Sequence, residues 1–137
     1  MIRNDKHFVG ASAVKAKLVQ ILRSSDFDAS ERNRRFLSFV VGETLSGNAA
    51  QIKAYTIATL VFGRGQDFDP QLDSIVRIEA GRLRRSLQNY YLRAGANDLV
   101  RIDIPKGSYV PTFESVEALA PKVTPTFKKF DNQCGPI

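Results

Sequence analysis

The sequence predicts a mainly helical domain closed by a β-hairpin on its C-terminal side, and three observations predict it. Apolar residues recur at three- and four-residue spacing through four segments up to about residue 94. The period then changes to two in "LVRIDI" and "YVPTF", on either side of the turn residues "PKGS". The single cysteine, Cys134, leaves no intrachain disulfide framework. An apolar core must therefore hold the fold, and 137 residues with 43% hydrophobic content are enough to build one.

Each element has its own signature. "ASAVKAKLVQILRSS" aligns Val14, Leu18 and Ile21 or Leu22, which predicts a helix over 11–24. Ser30 caps a second helix, "ERNRRFLSFVVGETLSG", with Phe36, Leu37, Val40, Val41 and Leu45 inward and Gly47 ending it. "QIKAYTIATLVFG" reads as a third, shorter helix anchored by Ile52, Tyr55, Leu60 and Phe62, with a strand as the competing reading because β-branched residues are frequent. Asp73 is a suitable N-cap for a fourth and longest helix over about 74–94, and Gly95 a suitable terminator. The hairpin covers 99–113, with Pro111 confining its second strand to an edge. Residues 1–10 are expected to be a flexible N-terminus, 11–113 the folded domain and 114–137 a flexible tail.

Charge points to a partner. Residues 114–137 set Lys122, Lys128 and Lys129 against Glu114, Glu117 and Asp131, so the net charge of +6 belongs to residues 1–113. A basic folded domain suits a polyanion. On a wheel at about 100° per residue, Val76, Ala80, Leu83, Leu87, Tyr90 and Ala94 form one buried stripe of the fourth helix. Arg77, Ile78, Gly81, Arg82, Arg84, Arg85, Gln88 and Asn89 fill the opposite side, with Glu79 and Ser86 at its margin. Guanidinium forks pair with guanine O6 and N7 or bridge phosphates, amides pair with adenine, and Ile78 can meet a thymine methyl. Gly81 lets the backbone approach a surface closely. The competing reading is a solvated basic face with Ile78 packed beneath a neighbour.

Helix, helix, long basic helix and hairpin, in that order, is the winged helix-turn-helix arrangement, here with an extra N-terminal helix. The fourth helix is then expected in the DNA major groove. Arg77, Gly81, Arg82 and Arg85 face bases, with Ile78 and Gln88 as further candidates. Arg84 and Lys106 take phosphates, and "PKGSY" forms the wing tip. Arg32, Arg34 and Arg35 crowd the first turn of the second helix, where the dipole disfavours cations. Phosphate contact, with Arg34 and Arg35 as the candidates, would explain them, and plain solvation is the competing reading.

"DSIVRIEAGRLRRSL" followed by "LVRIDIPKGSYVPTF" resembles the end of the winged-helix output domains of OmpR-type response regulators. Leu83, Arg84 and Leu87 match their helix pattern, and Gly107 and Tyr109 match the turn closing their hairpin. Pro105 or Lys106 replaces the first glycine of that turn, and a helix over 11–24 replaces the usual N-terminal sheet. A longer stretch, about 14–113, resembles the N-terminal module of bacterial proteins, many from rhizobia and soil bacteria, that often continue into cyclase or tetratricopeptide-repeat regions. Both resemblances imply a DNA-binding winged helix. Such modules also serve as protein-docking domains.

Catalysis finds little support. His7, the lone histidine, excludes a Ser–His–Asp set. "QDFDPQLD" lacks the glycine and terminal glutamate of a calcium loop, and "FGRGQ" lacks the lysine of a phosphate loop. No cofactor or metal is expected, and Tyr90 and Tyr91 read as core. No apolar run reaches about 18 residues, as a membrane span needs, and "MIRNDKHFVG" is no secretory signal, so a cytoplasmic protein is expected. The expected partners are double-stranded DNA and a second copy of the chain, the dimer contact falling on 11–24. A regulatory protein is the alternative partner.

Overall fold

The computed structural model describes residues 9–115, with four helices followed by a two-stranded antiparallel hairpin. Helix α1 spans Ala11–Arg23 and buries Val14 and Ile21 on one stripe. Lys17 lies on that stripe too, a buried cation that needs a partner. Its Nζ is 2.8 Å from Asp98 and donates to Gln20 at the same distance. Asp98 also accepts from the Tyr90 hydroxyl at 2.8 Å. This network fastens α1 to the segment that leads into the hairpin.

Helix α2, Glu31–Leu45, starts where Ser30 Oγ accepts from the Asn33 N–H at 3.2 Å. It ends just before Gly47, whose φ of 84° is the left-handed conformation that terminates helices at low cost. Phe36, Leu37, Val40 and Val41 are fully buried as their spacing predicts.

The third segment is helical, which removes the strand alternative, but it is shorter than its sequence pattern. A 3₁₀ turn, Ala49–Gln51, precedes α3, Ala54–Leu60. Thr56 Oγ1 accepts from the Lys53 N–H at 3.0 Å and fixes the start there. That start sets the helical phase: Ile57 and Ala58 point inward, while Tyr55 and Leu60, expected as anchors, are exposed. Ile52 and Phe62 flank the helix and are buried as expected.

Helix α4, Ile75–Leu92, is the longest. Asp73 serves its start by accepting from the Ile75 N–H at 3.0 Å, and Arg64 Nε donates to the same carboxylate at 2.8 Å. These two bonds, Arg64 first, hold the Asp73 carboxyl below the usual carboxylate range. Val76, Ala80, Leu83, Leu87 and Tyr90 form the core stripe, but Ala94 lies beyond the helix and is exposed. Gly95 is required by packing: a Cβ there would come within 2.4 Å of Tyr90 Cε2 and 2.9 Å of Tyr91 Cδ1.

Strands β1, Val100–Asp103, and β2, Thr112–Ser115, pair from Val100↔Ser115 to Asp103↔Thr112. The second strand starts three residues later and ends two residues later than "YVPTF" indicates. Pro111 offers no N–H, so it precedes the ladder, and Glu114 and Ser115 belong to the strand and not to a tail. Ile102 and Ile104 alternate inward onto the core, and the Ile102 N–H donates to the Tyr91 hydroxyl at 2.7 Å. The expectations for His7 and the rest of 1–8, and for Cys134 and the tail over 116–137, fall outside the described residues. Among the described residues no helix is long and apolar enough to cross a membrane.

Candidate nucleic-acid interface

Two anchors position the outer face of α4. Leu83 and Leu87 seat its inner face, and Arg84 ties one flank to the hairpin loop. Arg84 Nε donates to the Ile104 carbonyl at 2.9 Å, and Nη2 donates to the Pro105 and Ser108 carbonyls at 3.2 and 2.9 Å. The expectation that Arg84 takes a phosphate is corrected accordingly. A loop that turns tightly leaves carbonyls without strand partners, and a guanidinium fork satisfies three of them.

Arg34 is a second correction. Its Nε donates to the Ala29 carbonyl at 3.1 Å, Nη2 to Phe27 at 2.9 Å, and Nη1 to Leu22. Its guanidinium also stacks 5.4 Å from the centre of the Phe27 ring. The last carbonyls of a helix have no intrahelical partner, and Leu22 lies in the last turn of α1. Arg34 therefore stitches α1 and its linker to α2, and its donors face inward. Arg35 is exposed, with no side-chain partner among the described residues.

Arg82 is engaged in part. Glu79, at the margin of the wheel, is only 6% exposed, and its Oε2 lies 3.1 Å from Arg82 Nη1 and 3.4 Å from Arg32 Nη1. Arg32 also stacks 5.5 Å from the Phe62 ring centre. The crowd of arginines at the start of α2 thus has internal partners for two of its three members.

The remaining candidates share one exposed ridge. Arg77, Arg85 and Gln88 are exposed and have no hydrogen-bond partner among the described residues, and Ile78 is 49% exposed. Gly81 sits between them in helical conformation, and a Cβ there would meet nothing within 4 Å. A cleft of about 480 Å³ separates this ridge from the hairpin loop, lined by Gly81, Arg85, Gln88, Asp103 and Lys106. Lys106 is exposed beside Gly107, whose φ of 85° makes the tight loop tip. On the other flank a second cleft of about 500 Å³, lined by Arg85 and Asn89, runs toward the start of α2. Arg85 borders both clefts and so occupies the crest.

Tyr90 and Tyr91 belong to the core, as read from the sequence. Burial pushes the Tyr91 hydroxyl up to about 12, against the Ile102 N–H and Arg101, which pull it down. Burial and then the bond to Asp98 push Tyr90 higher still. Arg101 stacks 4.2 Å from the Tyr91 ring centre and closes this side of the core. The dipole argument missed the carbonyl-bound role of Arg34 and wheel geometry that of Arg84, since their backbone targets lie outside their own helices. Among the described residues no group of three or more metal-ligating side chains converges. Comparison with family models, curated proteins and solved structures returns no match.

Proposed function

We propose that this protein binds double-stranded DNA sequence-specifically through a winged helix-turn-helix, as a transcriptional regulator in the cytoplasm without enzymatic activity. In this reading α4 enters the major groove. Arg77, Arg82 and Arg85 reach base edges with Gln88 beside them, Ile78 meets thymine methyl groups, and Lys106 on the hairpin loop takes a phosphate. The observation that carries the proposal is the ridge itself. Arg84 is tied to the hairpin loop and Arg82 is engaged through one nitrogen, whereas Arg77 and Arg85 have no partner among the described residues, on either side of a glycine with open space above it. The order of elements and the resemblance to OmpR-type output domains support the same reading. A dimer on two half-sites would supply the contact area that one small module lacks.

Titrating generic duplex at two salt concentrations tests it. Affinity should fall steeply with salt, with a slope of about 0.9 per neutralised phosphate. No binding at low salt would refute the proposal. That result would favour the second reading, docking on a regulatory protein, for which the exposed apolar side chains of Leu72, Ile78 and Leu92 speak.

A further inference from the structure

We infer that Glu79 is a positioning residue for DNA readout: its buried carboxylate holds Arg82 in a base-reading orientation and suppresses binding to the wrong duplex. The inference rests on the DNA-binding reading above. The Glu79 side chain is 8% exposed and that of Arg82 60%, so the carboxylate is inside the fold while the guanidinium is mostly in solvent. A buried carboxylate needs compensation, and Arg32 from α2 supplies a full charge while stacking on Phe62. Neutralising Glu79 therefore does not require a second arginine. Arg82 nevertheless bonds the same Oε2 from one turn further along α4, on the edge of the exposed ridge.

That bond occupies only Nη1 of Arg82. Nε and Nη2 have no partner among the described residues, and they lie in a plane set by the anchored nitrogen. A free arginine samples many rotamers and loses that freedom on binding. An arginine held before DNA arrives has already lost part of it, so the correct base gains more from the contact. The carboxylate also offsets one of the two guanidinium charges beside the interface. Phosphates that approach Arg82 directly, as they do in non-specific complexes, meet that reduced positive charge. Arg85, on the crest with no carboxylate partner among the described residues, has neither constraint.

The test uses the full chain and Glu79→Gln, which preserves shape and removes charge, with thermal melting to verify folding. Side-chain NMR of the arginine Nε–H groups should show Arg82 ordered in the parent protein and mobile in the variant, with Arg85 unchanged. The second readout is the ratio of affinity for a duplex selected from random sequence by the parent protein to affinity for generic duplex. That ratio should fall on the order of 10-fold in the variant, with the loss arising from tighter generic binding and a salt slope steeper by about 0.9. In an Arg82→Ala background, Glu79→Gln should leave the ratio unchanged. An Arg82 as mobile as Arg85 in the parent protein overturns the positioning role, whatever DNA does. An unchanged ratio in the single variant, or an equal fall with and without Arg82, overturns it as well. A parent protein that binds no duplex defeats the DNA-binding reading and this inference together, which the NMR result alone does not do.

Discussion

Replacing Gly81 with alanine should move stability and DNA affinity in opposite directions. Gly81 lies within α4, its φ is not positive, and an added Cβ meets no atom within 4 Å. Neither the backbone nor the packing of the free protein demands glycine there. A glycine inside a helix costs about 1 kcal/mol relative to alanine, because it loses more backbone freedom on folding. Gly81→Ala should therefore stabilise the domain by about 1 kcal/mol and raise the Tm by about 4–8 °C for a domain near 100 residues. If α4 enters the major groove as proposed, the same methyl projects from the ridge between Arg77 and Arg85, where the helix backbone would come close to the bases. Loss of that approach should weaken binding to a selected duplex on the order of 10-fold, or about 1.4 kcal/mol. Calorimetric melting and fluorescence anisotropy on one preparation read both effects. A lower Tm would contradict the open space above Gly81. A higher Tm with unchanged affinity would show that this face of α4 does not meet DNA.

Arg85→Ala should relax sequence preference by about 1–3 kcal/mol, whereas Lys106→Ala should weaken all duplexes about equally, both read by competition binding against generic DNA. Arg84→Ala should release the hairpin loop, since three carbonyls lose a charged donor. Stability should fall by about 1.5–3 kcal/mol, and faster amide exchange over residues 104–108 would locate the loss. Gly95→Ala forces the Tyr90 and Tyr91 rings to move and should cost about 1–3 kcal/mol in a denaturant titration, with α1 loosened through Asp98. Tyr91 ionises at about 12 in the folded state against 10.0 for the free side chain. The folded state thus holds that proton more tightly, and the stability it contributes is present below pH 10 and lost as pH rises through 12. Phenolate absorbance and circular dichroism should change together in that window. Phenolate formation at Tyr91 near pH 10 with the fold intact would refute its burial.

Periodicity by itself determined α1, α2 and α4 and their inner faces, but not α3, whose expected anchors Tyr55 and Leu60 are exposed. The repeats that put Phe36, Leu37, Val40 and Val41 on one side of α2, and Val76, Ala80, Leu83 and Leu87 on one side of α4, are local geometry acting on apolar area. The change to period two placed Ile102 and Ile104 inward in the same way. The ends of α3 and β2 were not legible to that degree. A threonine oxygen at Thr56 decided the first, and the missing N–H of Pro111 the second.

The fate of each arginine was decided only by tertiary structure. A guanidinium is equally compatible with solvent, a carboxylate, a carbonyl or a phosphate, so its type and helical phase leave the partner open. Arg34 found backbone carbonyls 5 to 12 residues away, Arg84 found them 20 or more away, and Arg32 found Glu79 across 47. Such contacts exist only once helices and hairpin have docked. That docking, and not the count of basic residues, leaves Arg77 and Arg85 exposed on one ridge.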